Sequence, residues 1–211
     1  MRDHGIRGRI YASPIGALAA LLLGLTSLPL GLRAGQAFAT GPVLPPSTSV
    51  SSHDGQHDFD FLVGSWKIHL KRRLRPLSGS NEWVEFDGTV VCRKVWSDRA
   101  ELEEFDVDNP EKKIQIHGLT IRFYNPKSHQ WHIYWANADQ GDLSGPPVAG
   151  EFRSGRGEFY DQEEYQGRAI LVRYVWSAIN TDTPHFEQSY SADGGKSWET
   201  NWVTDQRRTN L

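Results

Sequence analysis

Apolar and polar residues alternate along most of the chain from Phe59 onward, and a period of two predicts strands. Trp66, Ile68, Leu70 and Leu74 share one face of the first, broken only by Arg72, while Lys67, His69, Lys71, Arg73 and Arg75 share the other. In 83–96, Val84, Phe86, Gly88, Val90, Cys92 and Trp96 alternate with Glu85, Asp87, Thr89 and Arg93. A third strand is expected at 100–107, before the turn Asp108-Asn109-Pro110. A fourth, 115–124, ends at Asn125-Pro126, because proline supplies no donor and restricts the residue before it. In the fifth, 130–137, Trp131, Ile133 and Trp135 oppose His132, Tyr134 and Ala136.

Short strands follow around 148–153 and 157–163, with Gly155-Arg156-Gly157 turning between them. In 168–177, Ile170, Val172, Tyr174 and Trp176 face one way, and Leu171, Arg173 and Val175 the other. The last two strands, 185–191 and 197–206, flank Ala192-Asp193-Gly194-Gly195-Lys196. The stretch 58–63 has room for one helical turn. About ten sequential antiparallel strands must close or leave long exposed edges, so the expected fold is all-β, an up-and-down antiparallel barrel. A two-sheet β-sandwich has the same local pattern and is the alternative.

The first 39 residues break the alternation. Arg2, Arg7 and Arg9 precede an apolar run over 15–32, and Ala37-Phe38-Ala39 offers a small-x-small cleavage site. This is the three-part pattern of a secretory leader. Cleavage after Ala39 implies an exported protein, periplasmic or extracellular. An uncleaved anchor is disfavoured because Pro29 and several glycines interrupt the run. Residues 40–57, rich in Pro, Ser, Thr and Gly, read as a flexible linker, and 58–211 as a single barrel domain. His53 and His57 lie beside Asp54 and Asp58, but scattered polar residues in such a tail do not define a metal site, and no metal or other cofactor is expected.

Charge narrows the partners. Removing the leader takes Arg2, Arg7, Arg9, Arg33 and Asp3 with it and moves the formal charge from −3 to −6, which weighs against nucleic acid. No stable membrane insertion is expected after cleavage. Cys92 is the only cysteine, so no intramolecular disulfide can form. The unusual count is aromatic, with 8 Trp, 7 Tyr and 9 Phe, and every Trp falls in or beside an expected strand.

Two motifs carry resemblances. Ser191-Ala192-Asp193-Gly194-Gly195-Lys196-Ser197-Trp198 is similar to the Asp-box hairpin of sialidase propellers. Without a second copy it reads as a structural turn and not as glycosidase machinery. Gly64-Ser65-Trp66 resembles the opening of lipocalins and related calycin barrels. That resemblance implies that Trp66 closes one end of the barrel with Arg207 or Arg208 over its ring. A wider resemblance is to an uncharacterised bacterial family, a domain of unknown function with a lipocalin-like calycin barrel. It rests on Phe59-Asp60-Phe61, Arg72-Arg73-Leu74, Ile121-Arg122-Phe123-Tyr124-Asn125-Pro126, Arg173-Tyr174-Val175-Trp176-Ser177 and Glu187-Gln188-Ser189-Tyr190-Ser191. His185-Phe186 departs from the Arg-Trp of that pattern. The family implies a fold and no activity.

A small barrel is filled by side chains or holds one small ligand. The expected ligand is a small hydrophobic or amphipathic molecule. Its candidate contacts are polar residues that share faces with aromatics: Arg122 with Tyr124, His132 with Tyr134, Arg173, Gln188, and Glu199 with Asn201. The competing expectation turns these to solvent and fills the core with Trp131, Ile133, Trp135, Phe123 and Ile121. Three alternatives stand beside binding. One is a small-molecule enzyme using His132, Tyr134 and Glu199 as acid–base groups, although no spacing singles out a catalytic set. Another is a haem barrel with His185 or His132 as axial ligand. The last is a non-catalytic envelope protein, with a homodimer as its simplest partner.

Overall fold

The computed structural model describes residues 54–209. Ten antiparallel strands form one closed barrel, ordered β1-β10-β9-β8-β7-β6-β5-β4-β3-β2. They are β1 (Gly64–Arg73), β2 (Trp83–Val95), β3 (Ala100–Asn109), β4 (Ile114–Asn125), β5 (Gln130–Asn137), β6 (Asp142–Arg153), β7 (Arg156–Tyr165), β8 (Arg168–Ser177), β9 (His185–Ser191) and β10 (Glu199–Arg208). The barrel is closed by pairing of β1 with β10, Trp66 opposite Arg208 through Arg72 opposite Trp202. With no edge left, the sandwich alternative is set aside.

Hairpin chemistry explains the sharp corners. Ser154-Gly155 and Gln166-Gly167 both adopt positive φ, the two-residue turn that matches strand twist. β6 is longer than its sequence pattern predicts. It begins at Asp142, and its register against β5 shifts between Ile133 and Trp135, where Gly145-Pro146-Pro147 bulges out. A bulge accommodates prolines because their missing donors are not needed there.

The up-and-down order gives the barrel two distinct ends. One, the closed end, carries the β2–β3, β4–β5, β6–β7 and β8–β9 connections and the segment before β1. There two single-turn 3-10 helices, Gly55–His57 and Asp60–Leu62, enter the barrel. The described part of the expected linker, 54–57, belongs to this plug: Trp131 Nε1 donates to the Gly55 carbonyl at 2.8 Å. The other end, the mouth, carries the remaining hairpins. Two apolar clusters fill much of the interior. One gathers Phe59, Leu62, Trp131, Phe152, Phe159 and Trp176 around the plug. The other runs along β1–β4 through Trp66, Ile68, Leu70, Phe86, Phe105 and Ile116.

Candidate functional site

Strand alternation and register decide which side chains reach the interior. Phe159, Asp161, Glu163 and Tyr165 take alternate positions on β7. Phe159 pairs with Tyr174, which pairs with Gln188, which pairs with Trp202, so these side chains share the inner face. Phe159 is fully buried, yet Tyr174, Gln188, Tyr190 and Trp202 are only half-buried. Desolvation nevertheless raises the Tyr174 and Tyr190 phenols well above the usual range. These side chains face inward and lose hydration, yet none of the four is fully buried.

Trp135 forms part of the opposite wall, stacked edge-on against Phe105 at 5.5 Å and Trp202 at 6.2 Å. Gly118 on β4 makes this possible, because a Cβ there would overlap the Trp135 ring. At the mouth a surface cleft of about 330 Å³ opens between the β1–β2 loop and the β9–β10 hairpin. Leu77, Tyr190, Trp198 and Glu199 line it. The Glu199 carboxylate accepts from the Leu77 N–H at 2.6 Å and holds that loop beside the opening.

Deeper in, a charged cluster interrupts the apolar filling. Glu101 and Glu103 on β3 face Arg122 on β4, and all three are buried. Arg122 Nη2 donates to Glu103 Oε2 at 2.8 Å, and Thr120 Oγ1 donates to Glu103 Oε1 at 3.0 Å. The Arg122 guanidinium also lies 5.0 Å from the Phe59 ring centroid. Glu101 is held less firmly: its Oε2 stands 3.8 Å from Arg122, and its Oε1 has no partner. Desolvation pushes the Glu101 carboxyl up to about 7, against the pull of Arg122 and with help from Glu103. Burial likewise pushes the Cys92 thiol far above its usual range, which makes it an inert packing group.

The candidate residues divide between the two faces. Arg122, Tyr124 and Gln188 are on the inner face, and Glu199 is at the mouth. Asn201 sits at a bulge between Thr200 and Trp202 and reaches Gln188, whose Nε2 donates to Asn201 Oδ1 at 2.7 Å. His132 and Tyr134 belong outside, since they alternate with buried Trp131 and Ile133. Phe123 pairs with His132 and lies 6.0 Å from the Tyr134 ring, so Phe123 and Ile121 cover the outer surface and do not fill the core. Arg173 is also outside, 4.4 Å over the Trp198 ring.

The acid–base set of His132, Tyr134 and Glu199 is therefore not assembled. His185 lies outside as well, between Asp205 at 2.6 Å and Glu187 at 3.2 Å. Burial opposes its protonation, but those two carboxylates outweigh it and raise its pKa. Neither histidine considered for haem stands on the inner face, which removes the axial ligand that reading needs. Among the described residues no group of three or more His, Cys, Asp or Glu suits a metal ion.

At the closed end the Arg208 guanidinium covers the Trp66 ring at 4.1 Å. It also donates to the Val63 and Phe61 carbonyls, each at 2.8 Å. Arg207 is paired with Lys67 on the outer face and takes no part in the lid. Four inward acids escaped the sequence reading: Glu101, Glu103, Asp161 and Glu163. Their signal was parity, since the first pair shares a face with Phe105 and Val107 and the second with Phe159 and Tyr165.

Solved structures of similar shape share the lipocalin-like barrel. Rv2717c from M. tuberculosis aligns over 74% of this chain and 98% of its own, with 12% identity and a TM-score of 0.50. The S-type phycobiliprotein lyase CpeS from Guillardia theta aligns over 74% and 93%, with 11% identity and a TM-score of 0.49. At such identities the likeness concerns the fold alone. No family model matches the chain, and no curated protein matches it either. No helix among the described residues is long and apolar enough to cross a membrane.

Proposed function

We propose that this chain is an exported binding barrel. Its leader is cleaved after Ala39, and the mature protein carries a small hydrophobic or amphipathic molecule in its lumen outside the cytoplasm. Binding, and not catalysis, is its activity. The observation that carries this reading is the inner wall of Tyr174, Gln188, Tyr190 and Trp202, whose side chains take inward positions in a closed barrel yet are only half-buried. Aromatic walls with few polar groups are the usual make-up of a small-molecule pocket. The motifs shared with the uncharacterised calycin-like family support placing the chain there.

Native mass spectrometry of the protein purified from its own host tests the proposal. A retained small molecule, lost from a Trp202→Ala variant, is the expected result. A chain that starts at Thr40 is expected in the same spectrum, whereas an intact leader would overturn export. A homodimer is the part of the proposal supported by the outer aromatic strip of Trp96, Phe123 and Tyr134, where Trp96 is 72% exposed. Sedimentation equilibrium reads it directly, and a monomer at all concentrations removes it.

A further inference from the structure

Toward the mouth the lumen carries carboxyls with no cation beside them. Asp161 and Glu163 occupy alternate inward positions on β7, and no basic side chain acts on either carboxyl. Neither forms an ion pair among the described residues. Burial holds both carboxyls above their usual range, Glu163 further because Asp161 adjoins it. Asp161 Oδ2 is shielded from solvent and has no hydrogen-bond partner.

Neither nearby cation pairs with the two carboxyls. Arg72, at an inward position of β1, lies 5.9 Å from the Trp202 ring and acts on Tyr165 and Tyr190. Arg73 is engaged by Glu199 at 3.8 Å and by the Thr200 carbonyl at 3.0 Å. The surroundings of the two acids are aromatic: Tyr174 senses both carboxyls, and Tyr190 senses Glu163. Asn201 is a second, independent mark of a ligand on the lumen wall. It is 3% exposed, its Oδ1 is held by inward-facing Gln188, and its Nδ2 has no partner. Native proteins rarely bury such groups unpaired, and a ligand that meets them removes the cost.

We propose that the lumen binds an organic ammonium ion, a small amine with an apolar body, whose charge sits against Asp161 and Glu163 and whose body packs on Tyr174, Tyr190 and Trp202. This deepens the binding reading above and rests on it. A carboxylate stripped of water gains most from a cation brought to it, and the electron-rich faces of Tyr and Trp favour the same charge. A bare metal ion would use the carboxylates but leave the aromatic wall unused. An anionic amphipath would face two carboxylates with only Arg72 to offset them.

Isothermal titration with three isosteric probes separates the claims: tryptamine (cationic), tryptophol (neutral) and indole-3-acetate (anionic). Tryptamine is expected to bind roughly tenfold tighter than tryptophol, with indole-3-acetate weakest. The double variant Asp161→Asn/Glu163→Gln is expected to remove the preference, so that tryptamine and tryptophol bind it equally. If the double variant does not fold by circular dichroism, Glu163→Gln alone is expected to lose part of the preference. Equal affinity for tryptamine and tryptophol in the native protein overturns the ammonium assignment while the lumen reading stands. No binding of any of the three by folded protein overturns both.

Discussion

At the closed end Phe59 is fully buried, and five aromatic rings lie within 6.3 Å of its own. Toward the mouth Tyr190 and Trp202 also point inward, but they keep free surface and share their wall with Asp161, Glu163 and Gln188. The same period-two pattern builds both regions. What differs is the plug: residues 55–62 enter only one end, where Phe59 and Leu62 complete the packing, while at the other end β1–β4 are packed and the β7–β10 wall stays half-buried. The barrel is thus packed throughout at its closed end and only on the β1–β4 side toward its mouth, and the Arg122 cluster lies beside Phe59 in the first region. Stability should depend mainly on the first and recognition on the second.

The largest expected effect breaks the solid half. Arg122→Met leaves Glu101 and Glu103 buried without their cation and should cost about 3–5 kcal/mol of unfolding free energy in urea titration. Phe59→Ala should cost a similar ~3–5 kcal/mol, because the rings around it cannot all collapse into the hole. A loss below about 1 kcal/mol in either variant would mean that the closed end is not the stabilising half.

A smaller effect comes from pH. The folded Glu101 carboxyl titrates near 7, above its ordinary value, so the folded state holds its proton more tightly than the unfolded chain does. Its contribution is therefore fully present below the ordinary carboxylate range and is lost as pH rises toward about 7. Glu101→Gln should flatten that part of the stability–pH curve, as read by urea midpoints of the variant minus those of the native protein. An unchanged slope between pH 5 and pH 7.5 would contradict the buried, weakly paired state of Glu101.

The smallest expected effect sharpens the contrast from the other side. Tyr190→Phe at the mouth should change stability by no more than about 0.5 kcal/mol. The same variant should weaken tryptophol binding several-fold, measured by titration calorimetry. A large loss of stability with intact binding would reverse the roles assigned to the two halves.

The barrel was legible because alternation is a local signal and closure follows from the number of strands. In 168–177 the residues Ile170, Val172, Tyr174 and Trp176 were read on one face, and they line the interior together. The site was legible only in part, because alternation says which residues share a face but not which face is inside. On β5 both faces carry aromatics, so His132 and Tyr134 looked as inward as Trp131 and Trp135. Register against β4 resolves this, and register is a property of pairing, not of one strand. Glu101 and Glu103 were missed for the converse reason. Acidic residues in a strand read as its wet face, and only their parity with Phe105 and Val107 opposes that reading. The β6 extension was hidden by Pro146-Pro147, which a bulge tolerates and a regular ladder does not.

The most direct test of binding at the mouth is a crystal structure of the protein grown with tryptophol. The account predicts electron density for the indole between Trp135, Trp202 and Tyr174, with the Phe59 cluster unchanged. A mouth filled by its own side chains, or tryptophol found only on the outer strip beside Trp96, would contradict it.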